Sequence, residues 1–151
     1  MTRQSKIQKT FIDCGFGFPV KLTNVPMIKI RDSWTPDIDY ARLAKGVLLA
    51  LSKKLVRLTG NEVRFIRQHF EMTLENFAKR FAVSHPAVIK WERAGDEPTS
   101  MNWSTEKDLR LFILFKLNSN PKELSDLYLE LEMARSDRKK IIQLNGEDLA
   151  A

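Results

Sequence analysis

The stretch from Ser84 to Arg93 carries the polar and basic side chains with the clearest chemistry in this sequence. Ser84 and His85 stand at its start, and Lys90 and Arg93 follow near its end. Hydroxyl, imidazole, ammonium and guanidinium groups donate hydrogen bonds to phosphate oxygens and to the edges of bases. The residue types therefore indicate recognition of an anionic ligand such as DNA rather than covalent catalysis.

Two short helices must position these side chains. Thr73 is the predicted cap of LENFAKRF, Ser84 is the predicted cap of HPAVIKWERA, and Gly95 closes the second helix. Two helices joined by a turn of three or four residues form a helix-turn-helix. Ala78 is small enough for a helix crossing, and Ala82 falls where φ is often positive, at a cost of about 1 kcal/mol. The apolar residues of a shared core are Phe77, Phe81, Val83, Val88 and Trp91. A three-helix core without a ligand remains the alternative.

VSHPAVIKWERAG (83–95) resembles the VSxxTVSRWExG signature of XRE (Cro/repressor-type) helix-turn-helix proteins. The resemblance implies that Trp91 fills the core and that Glu92 holds the helix-turn-helix together. It places Lys90 where these proteins often carry a DNA-contacting Arg or Lys. Pro86 departs from the pattern, because it replaces a side chain that often reads a base.

The N-terminal half extends this resemblance. CGFGFPVKLTNVPMIKI, followed by a short helix and a repressor-type domain, is similar to MqsA-type antitoxins. Those proteins pair a zinc-binding β-domain with a DNA-binding, dimerising domain. Their CxxC pairs are mostly absent, since only Cys14 remains and DSWTPD (32–37) occupies the place of a second pair. The resemblance covers residues 14–103 and implies an N-terminal domain that has lost its zinc.

The remaining elements complete a mainly α prediction: a repressor-type five-helix domain preceded by a short β-hairpin and a helix. Residues 1–13 are predicted as a flexible basic arm, 14–56 as hairpin and helix, 57–133 as the DNA-binding domain with C-terminal dimerisation helices, and 134–151 as a tail. The hairpin would turn at Leu22-Thr23-Asn24. Thr59 and Glu62 form the capping box of the first helix of the domain. The stretch LRLFILF (109–115) is predicted as a dimer seam, with an ordinary core as the alternative.

Composition excludes several classes of protein. Ten basic and four acidic side chains in residues 1–56 account for the net charge of +6, which favours phosphate binding, although solvated lysines give the same count. One Cys and two His residues cannot build a closed zinc site, so we expect no metal. Cys14 is expected to be buried. Trp34 and Trp103 are expected to lie in loops and to pack against the domain, with stacking on bases as the alternative. Without a membrane-length apolar run or a signal peptide, a cytoplasmic protein is the simplest interpretation.

Enzyme signatures are missing from the sequence. We find no Gly-rich phosphate loop, no Ser-His-Asp or Cys-His grouping and no HExxH, and the acidic residues are expected on exposed helix faces. We therefore predict that the chain is not an enzyme and needs no cofactor.

The resulting hypothesis is a homodimeric, sequence-specific transcriptional repressor that binds a palindromic operator in double-stranded DNA. A further role as the antitoxin of a toxin–antitoxin operon follows from the resemblance. Lys90 and His85 are the predicted base contacts, and Ser84 adds a short polar group at the helix start. The predicted phosphate contacts are Arg93, Lys79, Arg80, Thr73 and Arg64. The alternatives are that His85 is only solvated beside the cap, Thr73 is only a cap and Arg64 lies on a solvated face. The runner-up function is a protein-interaction module, in which the N-terminal half binds a toxin or another protein and the helix-turn-helix is vestigial.

Overall fold

The computed structural model describes residues 3–117, 120–132, 136–138 and 140–151. Within these ranges, three strands come first, six α-helices follow and a fourth strand lies near the C-terminus. Helices take up 48% of the chain and strands 24%, so the class is α/β and the prediction of a mainly α chain was wrong. Two compact units are formed, Met1–Val47 with Ile141–Ala151 and Leu48–Lys140.

The first unit is built on strand β2 (Val20–Ile30). Strand β1 (Ser5–Asp13) pairs antiparallel with β2 along one edge, with Ser5 opposite Ile28 and Asp13 opposite Val20. The other edge of β2 is shared by β3 (Ser33–Pro36), which is antiparallel to it, and β4 (Ile142–Asn145), which is parallel to it. The residues predicted as a flexible arm therefore contribute a nine-residue strand instead.

The predicted turn at Leu22-Thr23-Asn24 lies inside a continuous strand. Asn24 has a φ of 51°, and the alternation of buried side chains shifts by one residue there. Val20 and Leu22 are buried before it, and Val25 and Met27 are buried after it. This break in the period-two pattern resembles a turn in sequence, but the chain continues straight on as β2. The hairpin partner of β2 is β1, and the turn between them falls at residues 14–19, where Cys14 is exposed rather than buried.

The C-terminal segment, predicted as a tail, adds the fourth strand to the sheet of the first unit. β4 is followed by a short 3-10 turn (Gly146–Leu149). Thr23 Oγ1 of β2 donates a hydrogen bond to the Leu144 carbonyl oxygen of β4 at 3.4 Å. A Cβ atom at Gly146 would lie 2.8 Å from Val25 Cα and 2.9 Å from the Thr23 carbonyl oxygen. The 3-10 turn can therefore approach β2 this closely only because residue 146 has no side chain.

Gly146→Ala should lower the free energy of unfolding by about 1–3 kcal/mol, since the added methyl overlaps backbone atoms that cannot move aside cheaply. Gly46→Ala is the matched control in the same unit, because its Cβ would meet Leu144 Cδ1 at an ordinary 3.4 Å. Alanine in the helix should stabilise the control by up to about 1 kcal/mol. Urea unfolding followed by circular dichroism measures both changes, and a destabilised control would refute this account of the packing.

Helix α1 (Tyr40–Lys53) is the helix predicted within residues 14–56. The five helices predicted for residues 57–133 are also confirmed: α2 (Gly60–His69), α3 (Leu74–Arg80), α4 (His85–Arg93), α5 (Trp103–Lys116) and α6 (Pro121–Glu130). The capping box of α2 is present, since Glu62 N donates to Thr59 Oγ1 at 3.3 Å and Thr59 N donates to Glu62 Oε1 at 2.9 Å. Short-range patterns of this kind are complete within one turn of helix.

A buried ion pair on α5 contradicts the expectation that acidic residues lie on exposed faces. Arg110 and Glu106 are both fully buried, and Arg110 Nη2 donates to Glu106 Oε2 at 2.9 Å. Arg110 also donates to the backbone carbonyls of Ser52, Lys54 and Val56. Arg57 Nε donates to the other oxygen of Glu106 at 2.9 Å. This cluster ties the end of α1 and the segment before α2 to α5.

The predicted dimer seam at 109–115 packs mostly within its own chain. Leu109, Phe112, Ile113 and Leu114 are buried, and Leu114 forms a core cluster with Leu127 and Leu131 of the α6 region. Phe115 is the exception at 69% exposed. The segment therefore follows the alternative of an ordinary core. Residues 118–119, between α5 and α6, and residues 133–135, after α6, lie outside the described residues.

Both tryptophans predicted in loops belong to regular elements. Trp34 lies on β3, with Lys6 Nζ 4.4 Å from its ring centroid. Trp103 is the first residue of α5, and its Nε1 donates to the Leu131 carbonyl oxygen at 3.2 Å. Across the described part of the chain, none of the helices has the length and apolar character needed to cross a membrane.

Candidate nucleic-acid interface

Helices α3 and α4 form a helix-turn-helix with a cap at each predicted position. Asn76 N donates to Thr73 Oγ1 at 3.0 Å at the start of α3. Ala87 N donates to Ser84 Oγ at 3.3 Å at the start of α4, where Pro86 lies in the first turn. Helix α4 packs against both α2 and α3. The side chains at the start of α4 are therefore held in place by the packing of α4 on α2 and α3.

The turn between the two helices has the predicted left-handed residue. Ala82 has a φ of 55°, which allows Val83 N to donate to the Ala78 carbonyl oxygen at 3.0 Å. This bond closes the end of α3 and directs the chain into the cap of α4. The hydrogen bond and the packing of Val83 on the motif offset the strain of a non-glycine residue with positive φ.

The core beneath the motif contains most of the residues that the spacing predicts. Phe77, Ala78, Phe81, Val88 and Trp91 are buried, and Val83 is partly buried. The rings of Phe77 and Phe81 have centroids 4.8 Å apart, and Phe81 meets Phe112 of α5 edge-on at 5.4 Å. The motif thus packs on α5 as well as on α2.

Glu92 is a buried acceptor that joins α4 to α2. Arg67 donates from Nε and Nη2 to its two carboxylate oxygens, each at 2.9 Å, and donates from Nη1 to the Met72 carbonyl oxygen at 3.0 Å. Arg64 Nε donates to Glu92 Oε1 at 3.1 Å. The side chain of Arg67 is only 14% exposed, whereas that of Arg64 is 47% exposed. Arg67 on α2 therefore holds α4 to α2 through Glu92.

The close approach of α2 to α4 depends on Gly60. A Cβ atom there would lie 2.5 Å from the Trp91 carbonyl oxygen and 2.7 Å from Gly95 N. The end of α4 therefore rests directly on the first turn of α2. Asn61 Nδ2 also donates to Asp96 Oδ1 at 3.0 Å just beyond α4.

All eight predicted DNA-contacting residues are exposed: Arg64, Thr73, Lys79, Arg80, Ser84, His85, Lys90 and Arg93. Seven of them belong to α3, α4 or their caps, and Arg64 lies on α2. Thr73 and Ser84 also act as helix caps, so their hydroxyl oxygens are already acceptors. Lys90, on the exposed face of α4, is directly followed in the chain by Trp91 of the core.

Two of these arginines already have acidic partners within the chain. Arg64 is held by Glu92, and Arg80 donates to both oxygens of Asp108, from Nη1 at 2.9 Å and from Nη2 at 3.3 Å. The Arg80–Asp108 pair is exposed on both sides, 40% and 45%, so it contributes little to stability and can exchange partners. Sequence reasoning missed these pairs, because their members are separated by 28 residues. An arginine and an acidic residue so far apart in sequence form no pattern that can be recognised locally.

No protein-family model, curated protein sequence or solved structure matches this chain. Any assignment of function therefore rests on the residues of this chain and on the geometry of α2 to α5.

Proposed function

We propose that this protein is a transcriptional repressor that binds DNA sequence-specifically through α3 and α4. The observation that supports this most is the division of α4 into two faces. Val88, Trp91 and Glu92 are buried against α2 and α3, while Ser84, His85, Lys90 and Arg93 are exposed. A helix held by its inner face and polar on its outer face is what reading of the major groove requires.

The proposed roles follow from position along α4. His85 and Lys90 contact base edges, because they lie on the exposed face of the helix that enters the groove. Arg93, Lys79 and Arg80 lie at the ends of α4 and α3, where a guanidinium or an ammonium group reaches phosphates flanking the groove. Thr73 and Arg64 complete the phosphate contacts. A homodimer would place two copies of α4 on a palindromic operator.

A role as an antitoxin that represses its own operon extends this proposal. It rests on the likeness of residues 14–103 to MqsA-type antitoxins, with a β-rich N-terminal part and a helix-turn-helix after it. In this role the first unit binds the toxin and α4 binds the operator.

The test of DNA binding is a salt series with the purified full chain and DNA from its own promoter region, against random DNA. A specific repressor should prefer the promoter DNA at near-physiological salt. Added salt weakens the sequence-independent binding to phosphates, which counterion release drives, but it leaves the contacts to base edges in place. Equal, fully salt-sensitive binding to both DNAs would refute the proposal. Light scattering on the same sample measures whether the chain is a dimer.

Lys90→Ala should weaken operator binding by about 1–3 kcal/mol and relax the sequence preference, because a lysine contact to a guanine edge is lost. Its melting temperature should stay native, since Lys90 is exposed. The matched control is Lys122→Ala on the exposed face of α6, which removes the same charge away from α4. Equal affinities of the two variants for the operator would remove Lys90 from the site.

The edge strand β1 favours the second candidate function, a protein-interaction module. β1 is nine residues long, most of its side chains are exposed, and it pairs with β2 on one side. An edge strand of this length can accept a strand from a partner protein. DNA binding without sequence preference, together with a partner whose binding is lost in Ile7→Pro, would support this function over repression, because Ile7 lies opposite Pro26 and its N–H faces the open edge of β1.

A further inference from the structure

A groove on the second unit lies between the end of α3 and helices α5 and α6. Its volume is about 270 Å³. The apolar lining comes from Leu111, Phe112, Phe115, Leu124 and Tyr128. Phe115 is 69% exposed and Tyr128 53%, so two large aromatic faces are open to solvent here. Exposed apolar surface of this kind is characteristic of a binding site.

The rim of the groove is basic. Arg80 and Asp108 both line it, with the guanidinium carbon of Arg80 5.0 Å from the Phe112 ring centroid. Lys107 Nζ lies 4.4 Å from the centroid of Tyr128, and Lys116 Nζ lies 5.7 Å from that of Phe112. Among the lining residues, Arg80 and Asp108 offset each other in charge, so the positive surplus comes from Lys107 and Lys116, which lie against the lining rings of Tyr128 and Phe112. The charge balance favours an anionic ligand.

Arg80 has the donors to hold such an anion. A guanidinium carries five N–H groups in a planar fork, and the bonds to Asp108 use Nη1 and Nη2. The remaining N–H groups can bind a carboxylate beside Asp108, or the carboxylate can replace the exposed Asp108 side chain. In either case the apolar body of the ligand would lie against Phe112, Phe115 and Tyr128.

We propose that this groove binds a small organic carboxylate with an aromatic body, held by Arg80 at its charged end. The volume fits one ring with a short side chain and lies just below the range of about 300–1,000 Å³ for drug-sized ligands. That size favours a small molecule over a folded partner, which needs a much larger contact area. The proposal concerns α3, α5 and α6 and does not depend on DNA binding.

The experiment uses phenylacetate and its neutral isostere phenylacetamide as probes, titrated into the isotopically labelled full chain and followed by NMR. Phenylacetate should shift the amide signals of Phe112, Phe115 and Tyr128 with saturation in the millimolar range, as expected for a ligand of this size. Phenylacetamide should bind roughly tenfold or more weakly, since the charged hydrogen bond is missing.

Variants of Arg80 and Asp108 should change the affinity for phenylacetate in opposite directions. Arg80→Gln should weaken phenylacetate binding to the level of the amide, whereas Asp108→Asn should strengthen it by removing the competing carboxylate. Arg42→Gln, at an exposed arginine on α1 outside the groove lining, is the control and should leave the affinity unchanged. Equal binding of both probes, or unchanged affinity in Arg80→Gln, would overturn the proposal. Shifts at the groove that follow protein concentration instead of probe would show a contact between two copies and would also overturn it.

Discussion

Arg110→Met should lower the free energy of unfolding by about 3–5 kcal/mol, the largest loss that we expect from removing one charged group. Arg110 is fully buried, and it pairs with Glu106 and satisfies three backbone carbonyl groups, those of Ser52, Lys54 and Val56. Methionine fills similar volume but donates no hydrogen bond. The variant would leave Glu106 with Arg57 as its ion-pair partner and would bury carbonyls without a donor.

Arg80→Met is the matched control for this prediction. It breaks another Arg–carboxylate pair, but one in which both side chains are substantially exposed, so the expected loss is about 0–1 kcal/mol. Urea unfolding of both variants, followed by circular dichroism, compares the buried and the exposed pair. A similar loss in the two proteins would mean that burial of the Arg110 cluster contributes nothing to stability.

Trp91→Ala should destabilise the second unit by about 3–5 kcal/mol through loss of a core aromatic side chain. Trp91 is 7% exposed, and its backbone carbonyl lies against Gly60 at the start of α2. Removing the indole leaves a cavity between the helices that carry the proposed interface. Lys90→Ala, one residue away on the exposed face, should melt like the native protein.

This pair of neighbours separates stability from recognition. Trp91→Ala should lose DNA binding because α4 is no longer held, and Lys90→Ala should lose affinity while remaining folded. Thermal melting and operator binding measured on the same preparations distinguish the two effects. Native melting of Trp91→Ala would show that the side chain is not part of the core, and it would remove the physical basis for one stable face of α4.

The sequence by itself determined the helical part of this protein. The capping box of Thr59 and Glu62, the caps at Thr73 and Ser84 and the left-handed Ala82 were all readable, because each is complete within a few residues. The spacing of Phe77, Phe81, Val88 and Trp91 also predicted the shared core, since helical periodicity places these residues on common faces. These local rules were sufficient to predict the exposed face of α4.

The tertiary structure alone decided the sheet and the ion pairs. β2 pairs on one edge with residues 142–145, a separation in sequence that no local pattern records, and on the other edge with residues 5–13 through a hairpin turn at 14–19. The break in the period-two pattern at Leu22-Thr23-Asn24 gave a false turn signal, whereas in the structure Asn24 takes a positive φ within the continuous strand β2. Arg110, Arg67 and Arg80 look alike in sequence, yet one is wholly buried, one is mostly buried and one is exposed. Charge alone does not predict burial, because an arginine can be buried only where partners from distant segments compensate its desolvation.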